Sequence, residues 1–90
     1  MNAQRIRDLL NLGEKSERML AAAGIDTVAQ LKQLGAVQAY LQVRDSGVPV
    51  SLNLLYALEG ALSGRHWNRL PADVRESLLM AVDAADASPR

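Results

Sequence analysis

The stretch SLNLLYALEGALSG, residues 51–64, decides the fold. Leu52, Leu54, Leu55, Leu58, Ala61 and Leu62 recur at helical spacing and surround most of the circumference, the pattern of a buried helix. Ser51 stands where an N-cap belongs. The polar strip that remains is narrow: Asn53, Tyr56, Gly60 and Ser63, with Glu59 at its margin. This run is read as the central element, and the rest of the chain supplies shorter helices to cover it.

Toward the N-terminus, Gly47 closes AVQAYLQVRDSG, in which Val37, Tyr40, Leu41 and Arg44 lie on adjacent turns. Gly35 separates that segment from one opening at Thr27. There the Thr27 hydroxyl and the Gln30 side chain form a Thr-x-x-Gln capping box for a helix carrying Val28, Leu31 and Leu34. Gly24 is placed to leave a helix over Glu14 to Ala23 in a left-handed conformation, with Met19, Leu20 and Ala23 on one face. Ile6, Leu9 and Leu10 form the stripe of a short opening helix, and Asn11-Leu12-Gly13 is the turn that follows it. Toward the C-terminus, SGRHWNR is a turn and Leu70-Pro71 opens the last helix. Asp73 lies near the positive end of its dipole, and Val74, Leu78, Ala81 and Val82 form its inner face. From Asp83 the periodicity is lost.

These readings predict an all-α fold, a compact bundle of about five short helices with helix-hairpin-helix character. They place one domain over residues 1–82 and a frayed tail over 83–90. A weak repeat, in which Leu9, Leu12, Gly13 and Gly24 recur as Leu31, Leu34, Gly35 and Gly47, has too few copies for a solenoid.

The bulk composition narrows the function. With 90 residues and 49% hydrophobic content, the chain has the size of one small domain whose core is mainly Leu and Ala. Ten basic residues balance ten acidic ones, so any nucleic-acid contact must be local. The absence of Cys excludes a disulfide framework, a thiolate metal site and a Cys nucleophile. The N-terminus has no apolar signal core, and no window approaches the roughly 20 apolar residues of a membrane span. A cytoplasmic protein that engages no membrane is expected.

Two clusters carry candidate chemistry. In LLNLGEKSERML, Gly13 suits a turn whose following helix start offers backbone N–H groups to a phosphate, with Ser16 in that first turn and Lys15 and Arg18 supplying charge. Glu14 and Glu17 occupy the same turn and complement the dipole themselves, which favours a structural hairpin. In GRHWNR, Arg65, His66 and Arg69 surround Trp67, so base stacking and phosphate contact are one reading. The other buries Trp67 as a plug at the bottom of the core, its indole N–H and His66 satisfying backbone carbonyls. Tyr56 and Asn53 on the polar strip, with Arg44 and the RDSG turn nearby in sequence, form either a partner-binding face or an ordinary solvated stripe, and Arg65, His66, Arg69 and Tyr56 make the candidate partner surface. Glu59 lacks a second positioned group for acid–base work and is read as exposed or paired with Arg65. His66 has no companion at metal-ligand spacing. No enzyme, cofactor or metal site is implied.

NLGEKSERMLAAAGIDTVAQLKQLGAVQAY followed by VSLNLLYALEGALSGRHWNRLP closely resembles the C-terminal domain of the TfoX/Sxy family, bacterial regulators associated with competence for natural transformation. The similarity runs from about Leu9 to Leu79. It implies a non-catalytic, all-helical domain that follows an N-terminal α/β domain in full-length members. In those full-length regulators the two domains together assist transcription of competence genes beside the cyclic-AMP receptor protein, a role that the resemblance of this one domain does not by itself carry across. The family turn reads PNLGPKSE, whereas this chain has Leu10 and Glu14, a less preorganised turn with a negative charge at the phosphate seat. The expectation is an interaction module acting through a protein partner in the transcription machinery or a regulator, with homodimerisation open. The alternative is sequence-nonspecific DNA-backbone binding through the Gly13 turn.

Overall fold

The computed structural model describes residues 4–87. A 3-10 turn over Ile6–Asp8 leads to α1, Glu14–Ala22, then α2, Val28–Asp45, and α3, Leu52–Ser63. A second 3-10 turn, Trp67–Arg69, precedes α4, Ala72–Ala87. The described residues are all helical or irregular, with no strand.

The boundaries follow from local chemistry. α1 ends in a Schellman motif: the Ile25 N–H donates to Leu20 O at 2.9 Å, and the Gly24 N–H donates to Ala21 O at 2.9 Å. Gly24 has φ 85°, and Leu20 and Ile25 are both fully buried across the turn. At the start of α2 the capping box is complete. Gln30 N–H donates to Thr27 Oγ1 at 3.1 Å, and Thr27 N–H donates to Gln30 Oε1 at 3.1 Å. Gly35, at φ 81° and ψ 168°, breaks α2 into two helical arms, as its place in the sequence predicts. Ser51 holds the N-cap position of α3 but makes no capping hydrogen bond, so position and chemistry part there.

The core joins α3 to both arms of α2. Leu55 and Leu58 from α3 share one buried cluster with Leu31 and Val43 from α2 and with Leu20, Ile25 and Ile6. α3 is the most thoroughly buried helix, although Leu52 at its start is 44% exposed and does not join the core. The opening segment departs from the expected helix. It forms only a 3-10 turn that buries Ile6, Leu9 and Leu12 at a spacing of three and leaves Leu10 exposed. α4 also outlasts its apolar period and continues to Ala87. There Asp86 receives both ends of the Arg44 guanidinium, at 2.7 and 3.2 Å, which ties the last turn of α4 to α2.

Candidate functional site

The turn over residues 9–13 is where the first candidate cluster begins, and Asn11 makes it. Asn11 has φ 73°, the left-handed region that Asn tolerates better than other side chains, whereas Gly13 is extended and a Cβ there would meet open space. Asn11 thus supplies the left-handed step in place of a glycine. Its amide then reaches across the molecule. Nδ2 donates to Arg65 O at 2.8 Å and to Ala57 O at 3.5 Å, and Oδ1 accepts from the Trp67 N–H at 3.0 Å. One side chain therefore fastens the turn before α1 to the loop after α3.

That fastening sets the second cluster. Trp67 is 41% exposed, which corrects the reading of a buried plug. Asn11 fastens the backbone at Trp67, and the side chain is left partly exposed. Buried Gly60 permits the approach, since a Cβ on it would collide with Asn11 Nδ2 and with Arg65 O. The sequence placed Gly60 on the polar strip of α3, but it faces inward. Arg65, His66 and Arg69 are exposed beside Trp67, while Tyr56 is half-buried. Glu59 forms no ion pair with Arg65 among the described residues; its carbonyl accepts from Ser63 Oγ at 2.8 Å.

At the first cluster the charges sort themselves. Arg7 donates to Glu17 from Nε at 2.9 Å, from Nη2 at 2.7 Å and from its backbone N–H at 3.1 Å. The Arg7 side chain and then its backbone N–H hold the Glu17 carboxyl below the usual carboxylate range, and the guanidinium is raised in turn. Arg18 is paired with Glu14 one turn away. Lys15 takes part in no ion pair among the described residues. The helix start itself, with Gly13 as N-cap, has no side-chain acceptor over it.

Lys15 and Ser16 meet Trp67 in one place that the sequence did not foresee. They line an open groove of about 520 Å3 between the start of α1, the start of α3 and the loop after α3. Met19, Val50, Leu54 and Trp67 make much of its wall, Asn11 and Asn53 contribute amides, and Lys15 is its sole charged lining residue. Arg18, Tyr56 and His66 do not line it. Among the described residues no group of His or carboxylates is placed to hold a metal ion, and no helix is long and apolar enough to cross a membrane.

Comparison with protein families matches residues 2–82 to the TfoX C-terminal domain. The DNA transformation protein TfoX1 of Aliivibrio fischeri is 36% identical over 80 residues, 88% of this chain and 38% of that protein. Protein Sxy of Escherichia coli is 35% identical over 81 residues, 90% of this chain and 39% of that protein. The DNA transformation protein TfoX of Haemophilus influenzae is 36% identical over 79 residues. The chain thus spans under two fifths of the length of these relatives. A solved structure of an uncharacterized Listeria monocytogenes protein superposes with a TM-score of 0.82 at 30% identity, covering 97% of this chain and 99% of that one.

Proposed function

Because the chain belongs to the TfoX C-terminal domain family, we propose that it is a non-catalytic regulatory module, acting in competence for DNA transformation by docking a protein partner of the transcription apparatus. The observation that supports this is Trp67, 41% exposed at the groove on a loop whose backbone Asn11 holds by two hydrogen bonds, a third tying the same amide to Ala57 O in α3. A large aromatic presented on a backbone that is fixed before a partner arrives loses less entropy on docking than one on a loose loop, which is how interface anchors gain their weight. The test is domain replacement in Haemophilus influenzae TfoX, substituting this domain for the matching segment. The hybrid is expected to support transformation, and Trp67→Ala in it to abolish that support while the domain stays folded. A hybrid that is inactive, or one indifferent to Trp67→Ala, overturns the proposal.

A second reading, DNA-backbone contact through a helix-hairpin-helix at Gly13, draws on the start of α1, which has no side-chain cap, and on Lys15, in no ion pair among the described residues. Arg18, committed to Glu14, adds little to it. Binding to duplex DNA that falls steeply with salt, and whose salt slope drops in Lys15→Glu, would favour it over protein docking.

A further inference from the structure

Two surfaces of this molecule complement each other. The groove between α1, α3 and the loop after α3 mixes apolar wall residues with amides and hydroxyls, and among the described residues no carboxylate lines it. Lys15 lies in it, and Arg65 and Arg69 flank Trp67 on the loop that forms one wall; among the described residues none of the three is in an ion pair. On α4, Asp73, Glu76, Met80, Asp83 and Ala87 follow the spacing of three and four that marks one helix stripe, and all are exposed. This stripe lies away from the face bearing buried Leu78 and Val82. Met80 is 70% exposed, well above any other large apolar side chain described. Asp73, Glu76 and Asp83 are likewise in no ion pair among the described residues. An acidic helix face with a protruding thioether thus matches in sign a groove that holds Lys15 and Trp67 and adjoins the loop carrying Arg65 and Arg69.

We propose that the groove receives the outer face of α4 from a second copy of this chain, with Met80 against Trp67 and the carboxylates facing Lys15, Arg65 and Arg69. Each copy carries both halves, so two reciprocal contacts can close a two-fold dimer. The flexible Met side chain adapts to a preformed wall, and sulfur beside an indole is favourable in itself. A contact of one helix stripe is small, below about 1,200 Å2, which places it among weak and transient associations. The inference rests on the groove being a docking surface, as in the proposed function. The self-contact would occupy the site of the protein partner, so dimerisation would compete with docking.

Charge reversal tests this on the full chain by sedimentation. Lys15→Glu with Arg65→Glu makes the groove acidic, and Glu76→Lys with Asp83→Lys makes the α4 stripe basic. Each double variant alone now carries like charges on both surfaces, and self-association should weaken at least about tenfold. Mixed together, the acidic groove of one faces the basic stripe of the other, and the remaining pair matches as well, so the mixture should associate where neither component does. Wild-type association should fall between about 0.05 M and about 0.5 M salt. Circular dichroism verifies that all variants are folded, and Met80→Ala gives a charge-independent control that should also dissociate. A wild-type chain that stays monomeric up to roughly millimolar concentration overturns the proposal, as does a mixture that fails to associate. Partner docking is read separately in the hybrid regulator, so either proposal can fail while the other stands.

Discussion

Asn11 and Gly60 are halves of one contact: the Asn11 amide sits where any side chain at Gly60 would lie. The two residues are far apart in sequence, yet the amide meets Ala57 O and Arg65 O on either side of Gly60. Gly60→Ala is expected to cost about 2–3 kcal/mol, because the new methyl group must displace either Asn11 or the Arg65 carbonyl. Asn11→Ala removes the bonds and places Ala at a positive φ, for about 2 kcal/mol. The double variant should cost less than the sum, since deleting the Asn11 amide vacates part of the space that the Gly60 methyl needs. Urea denaturation of the four chains closes the cycle, and strict additivity would show the contact to be without energetic consequence.

Gly35 and Gly13 should respond in opposite directions. Gly35 sits at φ 81° and ψ 168°, a region almost closed to residues with a Cβ, so Gly35→Ala should destabilise by about 1–3 kcal/mol although its Cβ would meet open space. Gly13 is an extended N-cap with no side-chain acceptor, and a Cβ is accommodated. Gly13→Ser should therefore stabilise by about 0.5 kcal/mol, through a hydroxyl that accepts from the first turn of α1. Thermal unfolding monitored at the helical band distinguishes the two signs.

How much of this was legible in the sequence depended on the range of the interaction. The Thr27–Gln30 capping box, the Gly24 helix end and the break at Gly35 are decided within five residues, so the local pattern disclosed them. The burial of α3 followed from its apolar circumference. The placement of Trp67 did not, because it is decided by Asn11, 56 residues earlier in the chain. Asn11 could be found as a turn residue standing where a glycine would serve, but nothing local says what its amide will bind. Similarly, Asp86 falls where apolar period has ended, and only the return of α4 to Arg44 explains why the helix goes on. The groove required three separate segments to be placed correctly at once, so its individual residues were named while its existence was not.

The acid limb of stability should depend on Glu17. Its folded carboxyl titrates below the ordinary value of 4.5 because Arg7 bonds the charged form. A depressed carboxylate contributes stability that is fully present above the unfolded value and is lost as pH falls through the folded one. The chain should therefore hold its Glu17 contribution at neutral pH and surrender it as the pH drops below about 4.5. Glu17→Gln should lower stability at pH 7 and make the profile flatter on the acid side, with the two curves converging at low pH. Unfolding midpoints in denaturant across that range provide the check. Parallel curves would mean that the Arg7–Glu17 pair does not govern the acid response.

Trp67 offers the most direct discrimination between a structural and a recognition role. A tryptophan plugging the core would cost about 3–5 kcal/mol on truncation to Ala. Here its side chain is 41% exposed, while its anchoring bond to Asn11 comes from the backbone N–H, which Ala retains. Trp67→Ala should accordingly cost no more than about 1 kcal/mol and leave the Asn11 fastening in place. Because Trp67 is the chain's single tryptophan, its fluorescence reports on the groove without interference from another indole. Emission should be that of a partly hydrated ring, quenched readily by acrylamide, and should shift to the blue with reduced quenching when the groove is filled. A large stability loss in Trp67→Ala, together with an unquenchable blue emission from the free domain, would return Trp67 to the core and remove the anchor on which docking depends.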